Sequence, residues 1–140
     1  MAGLLLGTWL QARRQERHET TQRRRVELRD IYTAYAAAAY EAAEDIRDIG
    51  QDLADRAKIR GPSKKWGASF QSFRRLKAAG ILVEFEGSTE VIDASCAVEE
   101  AIGNYAIAVA DARGAPSEEW DKVKDQIDAF MNEARKTLGT

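Results

Sequence analysis

The sequence predicts an all-α protein, an up-down-up-down antiparallel four-helix bundle with a long N-terminal helix that projects beyond it. Three observations carry this prediction. Apolar residues recur at alternating spacings of three and four in four separate stretches, as they do on the buried face of a helix. Gly, Pro and Ser mark the junctions between these stretches. The connections are short, so each helix is expected to fold back on its neighbour.

The first bundle helix is predicted over residues 28–60. Its spacing of four and three is sustained throughout, which is typical of a helix packed nearly parallel to its neighbours. The apolar positions are Leu28, Tyr32, Tyr35, Ala39, Ala42, Ile46, Ile49 and Leu53. Gly50 is expected to interrupt this helix at a cost of about 1 kcal/mol relative to alanine, and Gly61-Pro62 to end it.

The second helix is predicted over residues 63–85, which places Lys64 and Lys65 in its first turn. Its apolar stripe is Trp66, Phe70, Phe73, Leu76, Gly80 and Val83. The apolar run at 81–85 is also compatible with a short strand. Helix is preferred because the sequence offers no second strand to pair with it.

The third and fourth helices are predicted over residues 89–112 and 118–138. Ser88 and Ser117 are expected to cap their N-termini. Gly114 and Gly139 are expected to end them. The third stripe is Val91, Ser95, Val98, Ile102, Tyr105 and Val109. The fourth stripe is Trp120, Val123, Ile127, Phe130 with Met131, Ala134 and Leu138.

Residues 1–27 form a separate zone, an apolar tip and a charged helical stalk, while residues 28–140 form the bundle. Residues 1–30 hold seven arginines and four acidic residues, although the whole chain has a net charge of −2. The stretch 11–27 contains only two apolar residues. A helix there would be marginal in isolation, so it is expected to propagate from the bundle.

The apolar tip, MAGLLLGTWL, predicts a contact with a membrane or with another protein chain outside the bundle. Ten helical residues span about 15 Å, half of a ~30 Å hydrocarbon core, so the tip is expected to be the tail of a longer apolar helix. The alternative is a fraying terminus. The candidate membrane or oligomer contacts are Leu4, Leu5, Leu6, Trp9 and Leu10. The basic stalk follows at once with Arg13, Arg14, Arg17, Arg23, Arg24 and Arg25, a pattern that places the bundle in the cytoplasm, at the inner face of the membrane.

A distal basic cluster is predicted at the hairpin between the first two helices. It consists of Arg60, Lys64, Lys65 and Trp66. Cations in the first turn of a helix are disfavoured by its macrodipole, which indicates an anion or a partner there. The alternative is ordinary solvated charge.

Most enzyme chemistries find no support in the sequence. His18 is the single histidine and has no glutamate three positions before it, so a helical di-metal site is not expected. Cys96 is expected to be a small buried residue without a histidine partner. No phosphate-binding loop or zinc spacing is present. The sequence therefore predicts a non-enzymatic module, without cofactor, metal or small-molecule substrate.

The expected partners are proteins, either a second copy of the chain or another protein, together with a membrane surface. A basic segment followed by heptads is similar to a basic-region zipper, but four acids interleave the arginines and leucine is rare in the stripe. These features argue against nucleic acid. The alternative function is a nucleic-acid-binding or anion-binding bundle that uses Arg23–Arg25 or the Lys64/Lys65 cluster.

Three stretches carry a resemblance to a known group: GTWLQARRQERHETTQRRRVELRDIYTAY, FEGSTEVIDASCAVEEAIGNY and FMNEARKTLG. With its helices placed, the chain resembles small bacterial proteins of the high-GC type, some labelled KilB-like. The resemblance implies an N-terminal membrane tether and a charged helix that runs into a helical bundle. It implies no catalytic residues. This chain departs from the group because it lacks a full membrane span.

Overall fold

The computed structural model describes residues 2–56 and 63–139, with side chains from Leu6 onward. This part of the chain is all-helical and has no strand, which confirms the predicted fold class and excludes the strand at 81–85. Its four helices are α1 (Ala2–Asp55), α2 (Trp66–Glu86), α3 (Thr89–Ala112) and α4 (Ser117–Leu138). The predicted end of the first helix, at residues 60–62, lies outside the described residues.

The core is organised around α1, which packs against each of the other three helices. The pair α3 and α4 also shares a long contact, whereas α2 touches α3 only slightly and does not reach α4 within the described residues. The second helix is therefore held mainly by α1, and much of its surface has no helix against it.

The order of contacts along α1 reverses along both of its main neighbours. The pairs between α1 and α2 are Asp45 with Ser72, Glu41 with Arg75 and Arg24 with Glu86. Between α1 and α4, the ring centroids of Tyr32 and Phe130 lie 6.1 Å apart, and the Arg47 guanidinium lies 4.8 Å from the ring centroid of Trp120. Rising numbers on α1 thus meet falling numbers on both partners.

Three of the four predicted stripes form the core. All six predicted α3 positions are buried. On α1 the stripe is buried from Tyr32 to Leu53, and on α4 the positions Val123, Ile127, Phe130 and Ala134 are buried. The remaining predicted positions of α1 and α4 pack partly exposed against this core; they are Leu28, Trp120, Met131 and Leu138.

The predicted stripe of α2 is wrong at Phe70, whereas Trp66 and Phe73 pack partly exposed against the core. Ser69 and Ser72 are buried, while Phe70 is 68% exposed. The Ser72 hydroxyl donates a hydrogen bond to the carboxylate of Asp45 on α1. Small side chains let α2 approach α1 here, and the polar contact sets which face turns inward.

The predicted start of α2 is also wrong, because the helix begins at Trp66 and Lys64 and Lys65 lie in a turn before it. The Ser63 hydroxyl donates to the Asp52 carboxylate at 2.6 Å and accepts the Lys65 N–H at 3.2 Å. These two bonds hold the turn against the end of α1, so the two lysines do not stand in the first turn of a helix.

Gly50 does not interrupt α1, contrary to the prediction. A Cβ at this position would lie 2.7 Å from the carbonyl oxygen of Gly114 and 2.9 Å from the Cα of Ala115. The turn between α3 and α4 therefore rests directly on the backbone of α1. Glycine is present because of this close approach and not because the helix ends there.

The helix caps agree with prediction at two of four sites. Ser88 accepts the Val91 N–H, and Gly139 adopts a left-handed φ of 75° after α4. At the other junction Arg113, rather than Gly114, takes the left-handed conformation with a φ of 49°. Pro116 precedes α4, and Ser117 is its first residue rather than its cap.

Candidate functional site

The first half of α1 is a continuous helix that no other part of the described chain covers. Every described side chain from Leu6 to Glu27 is exposed, and the first partly buried one is Leu28. At ~1.5 Å per residue these 22 residues span roughly 33 Å. Because helix continues from the core into this segment without a break, the segment has a fixed direction relative to the bundle.

The apolar tip lies at the N-terminal end of this segment. Leu6, Trp9 and Leu10 are 60%, 53% and 45% exposed, and the Arg13 guanidinium lies 4.6 Å from the Trp9 ring centroid. The side chains of Leu4 and Leu5, which were also predicted as contacts, lie outside the described ones. The three described residues form an apolar surface with a cation stacked at its border.

The six arginines of the basic stalk are all exposed. Arg24 forms an ion pair with Glu86 at the end of α2, and its guanidinium lies 3.9 Å from the Glu27 carboxylate. No ion-pair partner is found within the described part of the chain for the other five, and Arg13 stacks on the Trp9 ring. Arg24 thus attaches the base of the stalk to the bundle, and the other five arginines of the stalk face solvent.

A cleft of about 470 Å³ lies between the stalk base and the end of α4. We call it the stalk groove. It is lined by Gln22, Arg25, Val26, Arg29, Tyr32, Thr33, Met131, Ala134, Arg135 and Leu138. The groove therefore combines three arginines with an apolar lining to which Val26, Met131 and Leu138 contribute.

Two of these arginines repel each other within α1. Arg25 and Arg29 stand at i,i+4, an arrangement of like charges that destabilises an isolated helix by about 0.2–0.5 kcal/mol. Arg135 from α4 adds a third cation across the groove. The arrangement is suited to a group that carries negative charge next to an apolar part.

The distal basic cluster is described at three of its four predicted residues. Lys64 and Lys65 are exposed, Trp66 packs partly buried on the core, and Arg60 lies outside the described residues. The hydrogen bond from Ser63 lowers the pKa of Asp52, and the charges of Arg56 and Lys65 add to this effect. The nearby carboxylate gives Lys65 a local role that needs no external anion.

The stalk and the distal basic cluster do not form one surface. Arg24 and Asp52 mark their positions on α1, and 28 helical residues separate them by roughly 42 Å. A ligand that contacts both would have to extend along the whole bundle. The two clusters are therefore separate candidate surfaces.

A polar cluster inside the bundle links three helices. The Tyr35 hydroxyl donates to the Ser95 carbonyl at 2.9 Å and approaches the Glu99 carboxylate at 3.4 Å, and Lys77 lies 2.8 Å from that carboxylate. Burial raises the pKa of Tyr35 above its ordinary value, so its hydroxyl stays protonated. This cluster is suited to holding α1, α2 and α3 together rather than to proton transfer.

Cys96 is exposed on α3, so the expectation of a buried cysteine is wrong. It follows Ser95, which occupies the buried position of that turn. Within the described residues no group of three or more His, Cys, Asp and Glu side chains is placed to hold a metal ion. In the same part of the chain, no helix contains an apolar stretch long enough for a membrane crossing.

A larger cleft of about 630 Å³ lies between α3 and α4. Its charged residues, Glu100, Asp111, Glu119 and Lys122, are exposed or only partly buried. Three of these charges are negative and one is positive, so the cleft presents no single sign of charge to a ligand. The stalk groove is the stronger candidate because its cations border an apolar surface.

The sequence indicated the stalk but not the groove. The repeat of arginine at 25 and 29 was visible in the chain. The contribution of Arg135 was not, because it depends on how α4 aligns with α1.

No protein-family model, curated protein or solved structure matches this chain. Its function is therefore inferred from the surfaces described above.

Proposed function

We propose that this chain is a non-enzymatic helical assembly module. It is an up-down-up-down antiparallel four-helix bundle from which the first half of α1 projects as a connector. The bundle lies in the cytoplasm, close to the inner face of the cell membrane, and the connector makes the contacts with its partners. The observation that carries this proposal is that no described side chain from residue 6 to residue 27 is buried, although these residues continue a core helix.

The physical argument concerns the connector's stability. An exposed helix without an apolar stripe is marginal in water. Ordering it costs conformational entropy, which exposed contacts such as the Arg24–Glu86 ion pair offset only in small part. A partner surface that covers the apolar tip would offset this cost. The resemblance of this chain to small bacterial membrane-tethered proteins, KilB-like by label, is part of the same proposal.

Two partners fit the connector. A second copy of the chain would cover Leu6, Trp9 and Leu10 by helix–helix packing. An anionic membrane would accept Trp9 at its interface and attract the stalk arginines with about 1 kcal/mol apiece. The module acts through one or both of these contacts.

The proposal is tested with the full chain by light scattering and by co-sedimentation with phosphatidylglycerol vesicles. We expect self-association through the connector, vesicle binding or both. The variant Leu6→Glu/Trp9→Glu/Leu10→Glu should lose vesicle binding and any association beyond a dimer, because it removes only the contacts made by the connector. Ile107→Glu is the matched control, because Ile107 is 62% exposed on α3, away from the connector. A wild-type chain that is monomeric, binds no vesicles and yet is helical over residues 1–25 contradicts the proposal.

A second candidate function is anion binding at the stalk groove, and the observation that favours it is the three arginines around an apolar lining. It includes nucleic acid as a ligand class. A gel shift with duplex DNA at ~50 mM salt, weakened by added salt, would support it. Arg25→Glu/Arg29→Glu should abolish the shift, whereas Lys64→Glu/Lys65→Glu tests the distal basic cluster. Absence of any shift at low salt removes the nucleic-acid ligand.

A further inference from the structure

The second helix is apolar on two opposite faces. Its inner face, Ser69, Ser72, Leu76, Gly80 and Val83, is buried against the bundle. At about 100° per residue, a second set of apolar residues lies on the opposite side of the helix. We call this set the outer face of α2; it consists of Phe70, Ala78, Ile81, Leu82 and Phe85.

The outer face is a large apolar surface for so small a protein. Phe70, Ile81, Leu82 and Phe85 are 68%, 53%, 51% and 81% exposed. At about 150–250 Å² for a whole phenylalanine side chain, the two phenylalanines alone present roughly 200–400 Å². Patches of this size on a monomer are often functional. A helix that is apolar on both sides is typically covered on both sides.

We propose that the outer face of α2 binds the same face of a second copy of this chain, with the two helices antiparallel about a two-fold axis near Ala78. An antiparallel pair centred there sets Phe70 of one copy beside Phe85 of the other. Ala78, at the centre, allows the two backbones to approach closely. This surface is separate from the apolar tip and does not depend on the function proposed for the connector.

Charge complementarity identifies the second copy as the occupant. Arg74 lies towards one end of the outer face and Glu84 towards the other, both exposed. Neither has an ion-pair partner among the residues that the structure describes, in contrast to Arg75 and Lys77, which pair with Glu41 and Glu99. Antiparallel pairing brings Arg74 of each copy within about one helical turn of Glu84 of the other, as an isologous interface requires.

The same charges disfavour other occupants. An anionic membrane would attract Arg74 but repel Glu84, which stands beside Phe85. The apolar tip of the same chain is carried away from α2 by the continuous helix α1. An interface built on this patch is at the small end of stable interfaces, so the association is measured at a high protein concentration of about 100 μM.

The test uses the full chain carrying Leu6→Glu/Trp9→Glu/Leu10→Glu, so that the connector cannot mediate association. Sedimentation equilibrium should still show a dimer, and Phe70→Glu/Phe85→Glu should reduce it to a monomer with unchanged helical content. Arg74→Glu alone and Glu84→Arg alone should each weaken the dimer by roughly tenfold or more. The double variant Arg74→Glu/Glu84→Arg should restore it.

The position of the two-fold axis is tested by disulfide crosslinking. In the background Cys96→Ser, the variant Ala78→Cys should form a disulfide-linked dimer under mild oxidation, because an axis there brings the two Cβ atoms within bonding range. Ala110→Cys, at an exposed position of α3, is the matched control. A monomer in the connector-deficient chain overturns the proposal, as does equal crosslinking at 78 and 110. Vesicle binding that needs Phe70 and Phe85 without crosslinking assigns the face to a membrane and overturns it too.

Discussion

Gly50 is the residue at which two distant parts of the chain meet most closely. The distances of 2.7 Å and 2.9 Å from a Cβ at this position to backbone atoms of Gly114 and Ala115 are too short for any side chain. The two backbones are not flexible side-chain ends, so one of them would have to move. The seating of the α3–α4 turn on α1 therefore depends on the absence of one methyl group.

We expect Gly50→Ala to destabilise the fold by about 1–3 kcal/mol through this overlap. Gly103→Ala is the matched control, because Gly103 lies within α3 and a Cβ there meets nothing within 4 Å. The control should stabilise the protein by about 1 kcal/mol from helix propensity. Urea unfolding followed by circular dichroism measures both. A stabilised Gly50→Ala variant would show that the turn does not rest on α1.

Buried tyrosines make the protein sensitive to alkali. Burial raises the pKa of Tyr32, Tyr35 and Tyr105, and the hydrogen bond to Glu99 raises the pKa of Lys77. In the unfolded chain a tyrosine loses its proton near pH 10, whereas the folded chain retains it. The stability from these groups is thus complete below about pH 10 and is lost as the pH rises further, by up to ~1.4 kcal/mol per pH unit for each buried tyrosine. The contribution of the exposed Lys77 is much smaller because solvent screens its charge.

We therefore expect the urea midpoint to fall steeply between pH 9.5 and 11, a range of about one unit around the ordinary tyrosine pKa. Tyr35→Phe should be less stable at neutral pH, because it removes the hydrogen bond to Ser95, yet its stability should decline less steeply with pH. Tyr40→Phe, on an exposed part of α1, is the control. Parallel curves for wild type and Tyr35→Phe would refute the assignment.

The two halves of α1 are both helical, but they differ in burial and in whether they carry an apolar stripe. From Tyr32 to Leu53 the helix carries the core stripe, whereas from Leu6 to Glu27 all its side chains are exposed. The ion pair of Arg24 with Glu86 attaches the exposed half to the bundle, but exposed ion pairs contribute only about 0.2–1 kcal/mol to stability. Local stability should therefore change sharply along a helix that looks uniform.

Hydrogen exchange on the full chain measures this difference. In dilute solution without vesicles, amides at 8–22 should exchange rapidly and those at 32–53 slowly, because low local contact density favours local opening. The helix α3, whose buried positions run from Val91 to Val109, is the internal control for slow exchange. Conditions that assemble the connector should slow exchange at 8–22. Equal protection along α1 in a dilute monomer would contradict the division.

At the level of elements, the sequence was most informative where one apolar stripe stood alone. The stripes of α1, α3 and α4 followed directly from their spacing. In α2 Phe70 competes with Ser69 for the inner face, and periodicity favours the larger residue. The inner face is decided instead by contacts such as that of Ser72 with Asp45, 27 positions away along the chain. The start of α2 was missed for a similar reason, since Ser63 bonds to Asp52.

At the level of the whole molecule, the all-helical class was predictable because four patterns and their junctions agreed with each other. The stalk was predictable because residues 11–27 carry no apolar stripe. The stalk groove and the outer face of α2 were not, because both depend on which surfaces the packing leaves uncovered. An excess of apolar residues around α2 was the only signal of its outer face that the sequence contained.

Because α1 is one unbroken helix, it also sets the direction in which the apolar tip faces relative to the core stripe. Leu10, Leu28 and Ile46 follow one another at intervals of 18 residues, which is about five complete helical turns. The apolar tip therefore points to the same side as the core stripe, although Leu10 and Leu28 lie roughly 27 Å apart along the helix. Inserting one residue into the stalk would advance the tip by only ~1.5 Å but rotate it by about 100°. Any change in the length of the stalk therefore changes both the distance of the tip from the bundle and the direction in which the tip faces.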